Sequence, residues 1–227
     1  ISHSIYTTNL THYYDAQFAR SNGGAGVSGT TSMSPLVTGG GNATLVNFNQ
    51  YSGSGWKGRV SLTSVANENA LDLDGVNDYV DFGLPSDSYV SETIDLWVMP
   101  LNTTQTGSRI IFSHGDSGAG TAGKGLTLSQ KFGAPTRFEL SLGEPATSTI
   151  KCTSAIPVVA YHWYHITAMW DPSLGIRMYL NGENPGSGTG YAPTQGCQMA
   201  ATGTLMGSGK SLLVGKSAVG TAATEWK

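Results

Sequence analysis

Short runs of strict apolar/polar alternation recur along the chain, and turn-forming residues separate them. In Thr93-Ile-Asp-Leu-Trp-Val-Met99, Ile94, Leu96 and Val98 fall on one face, and Asp95, Trp97 and Met99 fall on the other. Period two is the signature of a half-buried strand. Leu71 and Leu73 lead into the turn Asp74-Gly-Val-Asn-Asp78, and Tyr79, Val80 and Phe82 lead out of it. Further strands are predicted at Arg109–Ser113, Leu126–Leu128, Arg137–Leu142, Trp163–Trp170 and Leu212–Val214. Ile176-Arg-Met-Tyr-Leu180 runs into Asn181-Gly182, a dipeptide that favours the two-residue hairpin turn. The first 70 residues are less regular; Asn9–Asp15 and Ala43–Phe48 are their best strand candidates. No stretch keeps a long helical period, and no linker divides the chain. The pattern predicts one all-β domain over residues 1–227, a two-sheet antiparallel β-sandwich.

Composition agrees. Only 12% of the 227 residues are charged, while glycine numbers 31, a balance that suits short strands and many turns rather than helix bundles. Hydrophobic residues make up 39%, enough for a packed core and against an intrinsically unfolded chain. A net charge of −3 gives no electrostatic footprint for nucleic acid or an anionic membrane surface. No apolar run is long enough for a transmembrane helix. The opening Ile1-Ser-His-Ser carries no leader pattern, although a cleaved leader leaves no trace. Few lysines, many hydroxyl side chains and the sequons at Asn9, Asn42 and Asn102 favour an extracellular or virion-surface setting. Cys152 and Cys197 form neither a CxxC pair nor a zinc set. Their even number permits one disulfide, expected to pin the Gly/Pro-rich loop after Asn181-Gly182 to the sandwich.

The second half resembles the laminin-G-like, pentraxin-like branch of the concanavalin A-like lectin/glucanase superfamily. The resemblance is carried, in order, by Leu71–Phe82, Ile94–Val98, Trp163–Asp171, Met178-Tyr-Leu-Asn-Gly-Glu183 and Leu213-Val-Gly-Lys216, and Asn9–Asp15 is similar to that branch's opening strand. It implies a jelly roll, often with a structural calcium ion and often with glycan binding, used as a module in secreted enzymes, adhesins and phage tail proteins. It also implies a returning strand after Leu213–Lys216, where this chain stops at Lys227. Either the polypeptide is longer, or another segment fills that place.

Catalytic patterns fail on inspection. Superfamily members that cleave polysaccharides carry paired glutamates on one strand, but Glu92 and Asp95 stand three apart and so on opposite faces. Gly115-Asp-Ser-Gly118 lacks the partner segment of a serine protease. Gly207-Ser-Gly-Lys-Ser211 lacks the first glycine of a phosphate loop and precedes a strand rather than a helix. The five histidines show no metal spacing, and His165 is expected to pack in or across its strand. Trp97, Trp163 and Trp170 are read as core residues. Trp56, in the glycine-flanked loop expected at Ser52–Lys57, is the candidate for stacking on a sugar ring.

Asp74, Asn77 and Asp78 place three oxygen-bearing side chains within five residues. They suit either calcium, which takes six to eight hard oxygens, or an Asx-type turn that caps its own backbone. Together these features predict a non-catalytic carbohydrate-binding module of a larger secreted or virion protein, whose partner is a glycan or a cell-surface or virion protein. A structural or assembly module is the alternative, with a polysaccharide-cleaving enzyme behind it.

Overall fold

The computed structural model describes residues 32–35, 41–48, 55–58, 69–85, 91–115, 125–143, 149–171, 173–183, 186–187 and 211–216. The strand expected at Asn9–Asp15, the protease-like loop beyond Gly115, and Cys197 lie outside them. Every regular element among the described residues is a strand. None is a helix long and apolar enough to cross a membrane. The chain forms two compact units, Ile1–Leu84 and Pro85–Lys227.

The first unit contains β1 (Ser32–Met33), β2 (Ala43–Val46), β3 (Gly55–Gly58), β4 (Asn69–Asp72) and all but the last residue of β5 (Tyr79–Pro85). β1, β2 and β5 pair antiparallel in that order. Met33, Ala43, Leu45, Leu73 and Val80 are its buried apolar residues. β3 pairs with β4, with Trp56 opposite Leu71. The Trp56 segment is therefore a strand and not the loop its glycines suggested, because cross-strand pairing supplies what local propensity lacks.

The second unit holds two antiparallel sheets. One comprises β6 (Glu92–Val98), β11 (Tyr164–Asp171) and β12 (Gly175–Leu180), in the order β12-β11-β6. The other runs β14-β7-β8-β9-β10-β13, from β7 (Ser108–His114), β8 (Leu126–Lys131), β9 (Arg137–Gly143), β10 (Thr149–Ser154), β13 (Gly186–Ser187) and β14 (Ser211–Val214). Alternation decides which side chains are buried. Tyr164, Ile166, Ala168 and Trp170 of β11 turn inward, as do Ile176, Met178 and Leu180 of β12. On the larger sheet, register aligns Phe112, Leu128, Leu140 and Cys152 in one buried row. A bulge between Ile110 and Phe112 lets the sequence neighbours Ile111 and Phe112 both be buried. Phe138 meets Tyr164 edge to face at 5.2 Å, which joins the two sheets. This is the all-β two-sheet sandwich of the jelly-roll class.

The Asn181-Gly182 turn forms as its sequence predicts. Both residues have positive φ, 54° and 81°, as a type I′ turn requires. Leu180 and Glu183 exchange two backbone hydrogen bonds across it, at 2.7 and 3.0 Å.

Candidate functional site

β6 and β11 bury one face and expose the other. Asp95 and Trp97 on β6 lie directly opposite Thr167 and His165 on β11. Trp97 is 63% exposed. Its indole stacks on the His165 imidazole, with centroids 4.9 Å apart and planes 29° from parallel. His165 Nε2 lies 2.7 Å from Asp95 Oδ1, and Thr167 Oγ1 donates to Asp95 Oδ2 at 2.8 Å. The carboxylate only accepts, so His165 carries its proton on Nε2. The backbone N–H of His165 donates to Asn181 Oδ1 at 3.0 Å, and Asn181 N–H returns a bond to the His165 carbonyl at 2.8 Å. The hairpin turn and Asp95 thus hold His165, and His165 supports one face of Trp97. Most of the indole is left to solvent.

The segment between β10 and β11 is held by backbone hydrogen bonds. Val158 N–H bonds to the Thr136 carbonyl, Tyr161 N–H to the Pro100 carbonyl and Val159 N–H to Tyr164 Oη, each at 2.8 Å. Arg137 Nη1 donates to the carbonyls of Ser154 and Ala155. A segment anchored in this way still presents Ile156, Val159, Tyr161 and Trp163 to solvent. Tyr161 also adopts φ 61°, a left-handed conformation that costs a non-glycine residue roughly 1–3 kcal/mol.

The structure separates the three tryptophans that the sequence grouped as core. Trp170 is buried, whereas Trp97 is largely exposed and Trp163 partly so. Parity carried the missing signal: Ile94, Leu96 and Val98 fill the inward stripe of β6, so Trp97 has to face out. His165 packs across strands, as expected, but on the outer face.

Glu92 and Asp95 stand on opposite faces of β6. Glu92 turns inward, where its Oε1 lies 2.5 Å from His114 Nδ1, with His114 on the other sheet. Asp95 faces solvent, its side chain 55% exposed. The two carboxylates therefore do not flank a common substrate. On the other sheet Glu139 accepts from Lys131 Nζ at 3.0 Å and Lys151 Nζ at 3.1 Å. Burial alone raises the Glu139 carboxyl, but these two ammonium groups outweigh it and hold it below the usual carboxylate range. Asp171 is also held low, chiefly by the Ser173 hydroxyl, in the turn that joins β11 to β12.

The residues weighed for calcium do come together. Asp74 Oδ1 accepts from the N–H groups of Val76 at 2.7 Å and Asn77 at 3.2 Å, and Asp78 Oδ2 accepts from Asp74 N–H at 2.9 Å. Gly75 takes φ 73°, and the Asn77 carbonyl accepts from Asn47 Nδ2. These bonds make the Asx-type turn that the sequence left as the alternative. No cluster of three His, Cys, Asp or Glu side chains suited to a metal occurs among the described residues. Cys152 is fully buried in β10. The side chain of Trp56 lies outside the description.

A laminin G family model, described as the concanavalin A-like lectin/glucanases superfamily, matches residues 74–220. The chain belongs to this family. No curated protein matches it in sequence. Similar solved structures include the native heptameric SAP-like pentraxin of Limulus polyphemus, 17% identical, with TM-score 0.43, covering 63% of each chain. Domains LG4-5 of the mouse laminin alpha1 chain are 14% identical, with TM-score 0.42, over 74% of this chain and 44% of that one. Full-length tailspike protein 2 of Escherichia coli O157:H7 bacteriophage CAB120 is 17% identical, with TM-score 0.45, over 79% of this chain and 26% of that one. The chain thus spans less than two thirds of the length of each.

Proposed function

We propose that this chain is a non-catalytic recognition module that binds carbohydrate through the outer face of β6 and β11. One observation supports the reading most: a largely exposed Trp97, braced by His165, stands beside the hydrogen-bonding groups of Asp95 and Thr167. Sugars present C–H faces to an aromatic ring and hydroxyls to polar neighbours, and a binding site needs such a mixture of aromatic surface and a few placed polar groups. A glycan array probed with the parent protein and with Trp97→Ala tests it. Binding that disappears in the variant supports the assignment, and binding that persists unchanged removes it.

A second reading, an assembly module, is favoured by the exposed apolar side chains of Ile156, Val159 and Tyr161. Self-association in light scattering that Ile156→Asp with Val159→Asp abolishes would establish it. The absence of catalysis is part of the proposal, supported by the opposite placement of Glu92 and Asp95; release of reducing ends from any polysaccharide would refute it.

We place the module outside the cytoplasm, on the sequons and the low-charge, hydroxyl-rich composition. A Cys152–Cys197 disulfide belongs to the same proposal, and no cysteine among the described residues is free. The Asp74 turn closes through its own hydrogen bonds, so calcium at Asp74, Asn77 and Asp78 is assigned only an added stabilising role. A melting temperature that falls on chelation would establish that role. A single domain over residues 1–227 is likewise proposed, and coincident melting curves from two probes test it.

A further inference from the structure

We infer that the Trp97 site selects uncharged, hydroxyl-rich sugars and that Asp95 is the residue that excludes anionic ones; this rests on the reading of the Trp97 face as the sugar site. Asp95 lies two residues from Trp97 on the same face of the same strand, and its side chain is 55% exposed. Each carboxylate oxygen already accepts one protein hydrogen bond, from His165 or Thr167. A carboxylate offers about four acceptor positions, so about two remain, and what they accept is a ligand O–H or N–H.

The charges around Trp97 point the same way. His165 spends its Nε2–H on Asp95 and its ring on Trp97. Arg177 on β12 stands across from Met169, and its charge acts on Asp171, helping to lower that carboxyl. Among the described residues of this face, no lysine stands beside Trp97. A neutral pyranose can stack on the indole and donate hydroxyl protons to Asp95. A uronate, sulfate or sialyl group brings acceptors and negative charge to a position that already holds both, and like charges at this range repel, most strongly at low salt.

The test uses the intact protein against neutral oligosaccharides (gluco-, manno- and galacto-hexaoses) and anionic ones (oligogalacturonate, sulfated oligosaccharides and sialyllactose), at low and high salt. Asp95→Asn is nearly isosteric and keeps an acceptor for His165. The expected result is parent binding to neutral probes at least tenfold tighter than to anionic probes. Asp95→Asn, which gives up an acceptor oxygen, should weaken neutral binding severalfold and gain on the order of tenfold for anionic probes, so that the parent's preference collapses. The parent's discrimination should narrow at high salt, because exposed charges are screened. Anionic preference in the parent that Trp97→Ala abolishes overturns the charge selection while leaving the sugar site standing. Glycan binding that ignores Trp97→Ala overturns the site itself, and the selectivity with it.

Discussion

Replacing Glu92 with alanine should destabilise the fold far more than removing a surface carboxylate. Glu92 Oε1 reaches His114 Nδ1 at 2.5 Å, the side chains are 11% and 1% exposed, and the pair links β6 of one sheet to β7 of the other. Breaking a buried pair costs roughly 3–5 kcal/mol. Part of this is returned, because Glu92 Oε2 is itself buried without a hydrogen-bond partner among the described residues. Relieving such a group is worth about 1–3 kcal/mol. The net expectation is centred on about 2 kcal/mol, which for a chain of this size lowers Tm by roughly 4–8 °C. Urea unfolding at pH 7, followed by tryptophan fluorescence and far-UV circular dichroism, gives the value directly. Glu92→Leu combined with His114→Phe should recover most of the loss, since a well-packed apolar pair can replace a buried hydrogen-bonded one. Glu92→Ala within about 0.5 kcal/mol of the parent would refute the buried pair, because that is the behaviour of an exposed side chain.

Asp74→Ala should cost about 1 kcal/mol by removing the acceptor for Val76 and Asn77. Thermal melts with chelator present read the loss from the turn's own bonds alone; a loss below about 0.3 kcal/mol there would refute the turn, and a larger loss without chelator measures the added contribution of calcium. Glu139 is held below the usual carboxylate range by Lys131 and Lys151. Its stabilisation is therefore complete above the unfolded value, about pH 4.3, and disappears as pH falls through the folded value. Glu139→Gln should flatten that acid limb in melts between pH 2 and 6; an unchanged limb contradicts the network. If Cys152 and Cys197 are bonded, the 45-position loop they close contributes about 4 kcal/mol in the chain-entropy model. Reduction should then lower Tm, and two free thiols in the unreduced, denatured protein would refute the bond.

The sandwich was legible where local chemistry and global packing agree. β6, β11 and β12 announce themselves through alternation, and Asn181-Gly182 specifies its turn without tertiary help. β10 was not legible: Thr149-Ile-Lys-Cys-Thr-Ser154 alternates but offers only Ile150 and Cys152 as apolar residues, and its place is set by pairing with β9. β3 hid between glycines because its partner β4 provides the pairing. The site was half legible. Alternation placed Asp95 and Trp97 on the face opposite Ile94 and Leu96, and the usual burial of tryptophan argued the other way. Nothing local shows that Asp95 and His165, 70 residues apart, are hydrogen-bonded, because cross-strand register arises only once the sheet forms.

The most direct measurement is isothermal titration of the parent and of Trp97→Ala with the tightest neutral oligosaccharide found on an array. Trp97 is mostly exposed, so the variant should lose no more than about 1 kcal/mol of stability, largely from the His165 stack, and should melt within a few degrees of the parent. The predicted result is an affinity at least tenfold weaker, about 1.4 kcal/mol, in a protein that is still folded. Equal affinity in parent and variant would contradict a sugar site at Trp97.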